Sequence, residues 1–440
     1  MWMQTDCTAS GCKREKASVV LDANWRWVQR QGQNCYTGTK WDQAVCSDGD
    51  GEACAQTCSV EGADYEGTYG VTSNSDKDGV NLKFVTKHSY GANYGSRLYV
   101  MDGEDSYMLF KLKNREFTLD VDVSNLPCGL NGAVYFVEMD KYGDVDGSGN
   151  TAGAKYGTGY CDAQCPHDLK FIKGQANTLN WNSTSVPPVG HFGSCCAEMD
   201  IWEANSMATA YTPHPCSQPG STKCDGTACG DNAKGERYMG ICDKDGCDFN
   251  SYRMGEKGFY GNGADFALDT SKPMTVVTQF LTHDGTDEGD LSEVRRFYVQ
   301  DGKVVPNSVA TILGAGAGNS ITDDFCSKQK SAFGDFDDFA AKGALREMGA
   351  AMGRGMVLVL SLWDDTDVSM LWLDSAYPTE ASPQNPGVLR GPCPGGVQSE
   401  SEYLRAEHPD AHVAFSNIKF GAINSTFSTT DARRMASTYV

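Results

Sequence analysis

Long hydrophobic runs are missing from this chain. The longest, Met356 to Leu360, is far too short to span a bilayer. Basic residues are scarce: 37 Lys and Arg stand against 58 Asp and Glu, giving a formal net charge of -21. Nucleic acid and anionic membranes both need a basic face, so neither is expected as a partner. A neutral substrate, or acidic conditions that discharge some carboxylates, fits better. The start, Met1-Trp2-Met3-Gln4-Thr5-Asp6, has no basic n-region and no apolar h-region, so either a signal peptide has been removed or the chain begins inside a longer precursor. No Gly-x-Ser-x-Gly supports a serine-hydrolase elbow. The glycine-rich run 314–318 departs from the dinucleotide fingerprint and reads as a mobile loop. The run 144–149 opens like a calcium loop, but Lys155 stands where a bidentate Glu is needed, so it reads as a turn. With no repeat and no Pro/Ser/Thr-rich linker, residues 1–440 read as one domain with a polar, loosely held tail after Asn424.

What is abundant is cysteine and glycine. The 18 cysteines are even in number and irregularly spaced in a loop-rich chain, which favours a disulfide framework and a secreted, extracellular protein. Zinc at Cys161-x3-Cys165 or His214-x-Cys216 is the weaker reading, because no second cysteine pair follows at finger-like spacing. Neither a metal nor a cofactor is expected. Asn182-Ser183-Thr184 and Asn424-Ser425-Thr426 are glycosylation sequons.

Strand-like alternation recurs over 116–123, 275–280 and 413–420, while 356–363 is apolar on both faces, as a central strand of two packed sheets should be. One helix is expected from Asp337 or Asp338, carrying Phe339, Leu345, Met348 and Met352 and stopping at Gly353 and Gly355. Many short strands and little helix predict an all-β sandwich with long connecting loops.

The most informative stretch is Glu198-Met199-Asp200-Ile201-Trp202-Glu203, three carboxylates among apolar neighbours after Cys195 and Cys196. Glycosidic bonds need one carboxylic acid to protonate the departing oxygen and one carboxylate to attack or steer water. On a strand, Glu198 and Asp200 share a face and Glu203 falls on the other. A β-bulge between Asp200 and Glu203 would bring all three together. Trp25 and Trp27 are read as two apart on a strand, as are Ser361 and Trp363, and Met370, Trp372 and Asp374. Each set would share a face, and such indoles beside Asp and Arg suit a groove that stacks sugar rings.

The run 195–205 resembles the catalytic signature of glycoside hydrolase family 7, the cellobiohydrolases and endoglucanases. The resemblance extends to 22–27, 62–65, 126–132, 155–162, 361–365 and 416–421. It implies a curved antiparallel β-sandwich of jelly-roll, concanavalin-like type, with disulfide-braced loops roofing a cleft or tunnel; no carbohydrate-binding module is expected in this chain. It also implies retaining hydrolysis of cellulose that releases cellobiose from reducing ends, with cellulose and cello-oligosaccharides as partners of a monomer. By the same resemblance Glu198 is the nucleophile, Asp200 its orienting partner and Glu203 the general acid and then base. The pKa of Glu203 is expected to be raised by burial and two anionic neighbours. Trp27, Trp25, Trp363 and Trp372 become sugar platforms, and Asn131, Tyr135, Tyr160, Asp162, Gln164, Asp168 and Lys170 inner-subsite residues. His214 lies beside the leaving-group subsites, and Arg237, Asp245, Arg253, Tyr377 and Arg390 near the product end.

The resemblance further implies nine bridges: 7 with 12, 35 with 58, 46 with 54, 128 with 393, 161 with 196, 165 with 195, 216 with 242, 224 with 229 and 247 with 326. The roof segments 177–193, 230–238 and 327–343, which endoglucanases lack in part, favour the exo-acting reading. Asn232-Ala233 replaces a tyrosine tip and Thr366-Asp367 an aromatic pair, so the roof is expected to open more easily. An endoglucanase and a non-catalytic lectin-like binder are the alternatives.

Overall fold

The computed structural model describes residues 1–145, 149–231 and 236–427. Residues 146–148 of the calcium-like run and the Asn232-Ala233 tip lie outside the described residues. Alternating apolar patterns fold into two stacked sheets. The inner sheet contains β1 (Ser18–Leu21), β2 (Ser96–Met101), β3 (Leu109–Phe110), β4 (Leu130–Val137), β5 (Glu198–Ala204), β6 (Thr209–His214), β7 (Phe249–Asn250) and β8 (Met356–Asp364). Its order is β7-β6-β5-β4-β8-β2-β1, with β3 also beside β8. The outer sheet has nine strands and includes Arg115–Asp122, Met274–Thr282, Leu291–Gln300 and His412–Ala422.

The inner strands are buried on both faces, as the continuous apolar run of β8 predicts. Alternate residues enter different clusters. Val134, Phe136, Leu358 and Leu360 meet Phe117, Val276 and Phe415 of the outer sheet in the main core, and the rings of Phe117 and Phe136 lie 5.1 Å apart between the sheets. Tyr135, Val137, Val357 and Val359 form a second cluster on the opposite face, beneath the loop residues Tyr160, Leu169 and Ile172. That second face carries the candidate site.

All nine disulfides implied by the resemblance are present. Cys161, Cys165 and Cys216 are therefore bonded as disulfides, which removes the zinc reading.

Three local expectations are corrected. The single helix is two, Asp338–Ala341 and Ala344–Arg354. Gly343 between them has φ +95°, a left-handed conformation that ends the first helix before the second begins. Trp25 closes a 3-10 turn, Ala23–Trp25, set by the Asp22 side chain accepting from the Asn24 backbone N–H at 2.6 Å, so Trp25 and Trp27 do not share a strand. Trp372 and Asp374 lie in the short helix Leu371–Asp374, which begins after Met370 in a left-handed conformation. A local side-chain turn in one case and a left-handed start in the other override the two-residue alternation. Further helices, Gly51–Thr57, Asp323–Phe333 and Ser401–Glu407, carry too few core residues to register as a period.

Candidate active site

Cross-strand pairing decides which way the carboxylates point, because directly paired residues share a face. Val137 pairs with Glu198, Tyr135 with Asp200 and Ala133 with Glu203. All three β4 residues belong to the cleft-side cluster. Between them, Met199, Ile201 and Trp202 enter the main core. Two consecutive residues can point inward because the register slips: Asp200 pairs with Thr212 and Glu203 with Ala210, three residues against two. Ile201 is the extra residue. The bulge expected from the spacing is present and puts Glu198, Asp200 and Glu203 on one face.

Each carboxyl is held separately. The Ala163 backbone N–H donates to Glu198 Oε2 at 3.0 Å, and the loop bearing it is tied to the start of β5 by Cys161–Cys196 and Cys165–Cys195. Asn131 Nδ2 donates to Glu203 Oε1 at 2.9 Å while its Oδ1 accepts the Ala204 N–H at 3.1 Å, which fixes the orientation of the amide. His214 Nε2 lies 3.1 Å from Asp200 Oδ2. Its Nδ1 faces the Asp243 carbonyl at 2.8 Å and must carry a proton, so Nε2 shares one further proton with Asp200.

Burial raises the pKa of all three carboxyls. Glu203 is pushed up to about 7, mainly by burial, with Asp248 adding and the Asn131 amide and His214 opposing. Asp248 is a source of repulsion that the sequence did not suggest, and Asp200 and Glu203 repel one another as expected. Glu198 is raised by burial, then by repulsion from Asp200 and Asp162. Asp200 is raised by burial, then by Glu203, and a hydrogen bond with Glu198 works against both.

Across the sheet from β5 the cleft face continues through Asn131, paired with Trp363, and Ser361, paired with Arg97. Trp363 and Trp372 stack with centroids 6.2 Å apart and pack against the small cluster of Met370, Leu373 and Ala210, the last being the strand partner of Glu203. Trp372 Nε1 donates to Asp365 at 3.1 Å. Tyr135 and Tyr160 share a hydroxyl hydrogen bond of 2.9 Å, and Tyr160 donates to Asp162 at 2.7 Å. Trp25 and, 37 % exposed, Trp27 continue towards the far end, where Trp27 meets His88 and Tyr90 edge-on.

Other expected residues are engaged with the protein itself. Lys170 Nζ donates to the Arg26 carbonyl at 2.8 Å, and burial lowers its pKa to about 8. Asp168 offers its backbone carbonyl to Asn24 at 3.0 Å, and exposed Gln164 donates to the Lys244 carbonyl at 2.8 Å. Arg237 pairs with Asp245 at 2.6 Å. Arg253, 4 % exposed, is committed to Asp248, to Asp335 and to the Gly387 carbonyl. Arg390 lies over the Tyr377 ring at 5.6 Å, and burial, with Arg253 beside it, brings its pKa down to about 10.

Sequence reasoning missed Arg97, whose guanidinium lies 3.4 Å from the Tyr160 ring centre and is bound to Asp22 at 2.7 Å. Its one signal was a charge inside the otherwise apolar alternation of 96–101. It also missed Asp248, for which no motif exists.

The profile of Glycosyl hydrolase family 7 matches residues 2–427. The chain belongs to this family. Among solved structures, a family 7 cellobiohydrolase from Daphnia pulex is 48% identical, with 97% of each chain covered and a TM-score of 0.92. The Melanocarpus albomyces cellobiohydrolase complexed with cellotetraose is 43% identical, with 97% of each chain covered and a TM-score of 0.88. The Humicola insolens endocellulase EGI native structure is 36% identical over 97% of this chain and 98% of its own, with a TM-score of 0.79. The family 7 jelly-roll matches the two stacked sheets described above, and the glycoside hydrolase assignment fits the carboxylates of β5.

Proposed function

We propose that this glycoside hydrolase cleaves β-1,4-glucosidic bonds of cellulose with retention, releasing cellobiose from reducing ends. The observation that carries the reading is the bulge at Ile201, which presents Glu198 and Glu203 on one face of one strand. Glu203, protonated below about pH 7, gives its proton to the departing glycosidic oxygen. Glu198 attacks the anomeric carbon as that bond breaks and forms a covalent glycosyl ester. Burial opposes the anionic form that Glu198 needs for attack, while the Ala163 N–H and the proton held by Asp200 and His214 favour it. Glu203, now a carboxylate, takes a proton from water, which attacks the same carbon and frees Glu198. Trp25, Trp27, Trp363 and Trp372 stack the sugar rings, with Asn131, Tyr135, Tyr160, Asp162, Gln164, Asp168 and Lys170 lining the inner subsites. Arg237, Asp245, Arg253, Tyr377 and Arg390 serve the product end, held by the Arg237–Asp245 pair, by Asp248 and Asp335 on Arg253, and by the contact of Arg390 with the Tyr377 ring.

Exo action is supported by the roof segments, which pack on one another: the rings of Tyr238 and Phe336 lie 4.6 Å apart, and Lys342 Nζ donates to the Tyr238 carbonyl at 3.1 Å. The higher identity to cellobiohydrolases than to the endocellulase agrees. The nine disulfides suit a secreted protein, acting as a single catalytic domain and a monomer. The decisive test is cellobiose release by wild type and by Glu198→Gln, together with trapping of a 2-deoxy-2-fluoro cellobiosyl ester on Glu198. Equal release by both proteins would end the catalytic reading. A low ratio of soluble to insoluble reducing ends on amorphous cellulose would transfer it to an endoglucanase.

A further inference from the structure

The bulge that assembles the site leaves the Ile201 carbonyl outside the regular ladder, in the core between the sheets. A buried carbonyl without a partner costs about 1–3 kcal/mol, so its partner matters. That partner is Arg296, on the outer-sheet strand Leu291–Gln300. The side chain is 1 % exposed and crosses the core to donate from Nη2 to Ile201 O. Its Nε donates to the Thr278 hydroxyl of the neighbouring strand at 3.2 Å. Its guanidinium carbon lies 4.3 Å from the ring centre of Tyr211 on β6 and 5.8 Å from that of Tyr298. Among the described residues no carboxylate lies within ion-pair distance of it, Glu293 being held by Arg295, and the Tyr298 hydroxyl is a further polar neighbour.

A lone cation in the middle of a β-sandwich is costly, and an apolar side chain would fill the space at less expense. We propose that Arg296 is a positioning residue for catalysis. It pins the bulge at Ile201 from behind, and through that one carbonyl it sets where Glu203 stands relative to Glu198. Asp200 and Glu203 are the residues on either side of the pinned segment, so slippage there would turn Glu203 off the cleft face while leaving Glu198 in place. The inference rests on the roles proposed for these two glutamates. It explains why the charge sits behind the strand and not in the cleft: what is held is the backbone.

The test compares wild type with Arg296→Met, Arg296→Lys and Thr278→Val on a soluble aryl cellobioside. Arg296→Met keeps the length of the side chain and removes its donors. It is expected to lower kcat about 10- to 100-fold with little change in KM, since a displacement of about 1 Å at a catalytic group costs that much. The alkaline limb of its pH profile should also shift, because the burial of Glu203 changes with the bulge. Arg296→Lys, which can still reach the carbonyl with one donor, should recover part of the loss. Amide exchange at Trp202 and Glu203 should quicken in Arg296→Met and report on the bulge whether or not the glutamate roles are right. If Arg296→Met does not fold, the milder pair of variants carries the same readouts. Unchanged kcat, pH profile and exchange in the folded variants, with only the melting temperature lowered, would overturn the proposal. If Glu203→Gln itself keeps full activity, the fault lies in the glutamate assignment instead.

Discussion

Asn131 holds Glu203 with its side-chain nitrogen at 2.9 Å and cannot flip, because its side-chain oxygen is taken by the Ala204 N–H. A donor aimed at a carboxyl favours the ionised form, so Asn131 works against the burial that lifts Glu203 to about 7. The acid must be protonated to act, hence activity is present below that pKa and disappears as pH rises through it. Asn131→Leu removes the opposing bond at similar volume. Its alkaline limb of kcat/KM is expected to move upward by up to about one pH unit, while kcat falls about ten-fold as the carboxyl loses its anchor. A pH profile on a soluble aryl cellobioside checks both, and a limb that stays or moves down refutes the account.

The same burial is a cost to the fold. The pKa of Glu203 is ordinarily 4.5 and is about 7 in the folded chain, so between those values the folded state holds a proton that the unfolded one releases. Its stabilising share is whole below about pH 4.5 and is lost as pH rises to about 7. Glu203→Gln should therefore stabilise the fold at pH 8 relative to wild type by at most about 3 kcal/mol, read as a higher melting temperature, and barely change it near pH 4. Calorimetry at the two pH values decides, and an equal effect at both would contradict the burial argument.

The carboxylate face was legible in the sequence because the need for a bulge follows from strand alternation alone: Glu198 and Asp200 agree in parity and Glu203 does not. The disulfide pairing and subsite residues came from resemblance. What could not be read was anything set by pairing between distant strands. Arg97 meets Tyr160 and Asp22 only once β2, β1 and the loop at 160 are assembled, and Asp248 reaches the surroundings of Glu203 from beside β7. The Trp25 and Trp372 turns were misread because a side-chain cap at Asp22 and the left-handed conformation at Met370 outweigh alternation over such short spans.

The bridge between Cys165 and Cys195 connects the loop that carries the Ala163 N–H to the strand before Glu198. Replacing both cysteines by alanine should cost about 2–5 kcal/mol of stability, and it should also slow formation of the glycosyl ester more than its hydrolysis. Rapid-quench measurement of the burst on a substrate with an activated leaving group separates the two steps. Loss of stability with an unaltered burst rate would assign the bridge to the fold alone.

Gly246 lies against His214, the residue that shares a proton with Asp200. Its φ is +63°, and a Cβ built there would stand 2.4 Å from Thr212 Cγ2 and 2.6 Å from His214 Cε1. Alanine at this position is strained in the backbone and collides with the imidazole, so it must push the ring away from Asp200 Oδ2. Without that partner the proton moves back onto the Glu198–Asp200 pair, and Glu198 is neutral more of the time. Gly246→Ala is therefore expected to reduce kcat by about ten-fold or more, and to shift the acidic limb of the pH profile upward, since ionising Glu198 now requires a higher pH. A folded variant with its acidic limb unmoved would mean that His214 does not govern the nucleophile's charge.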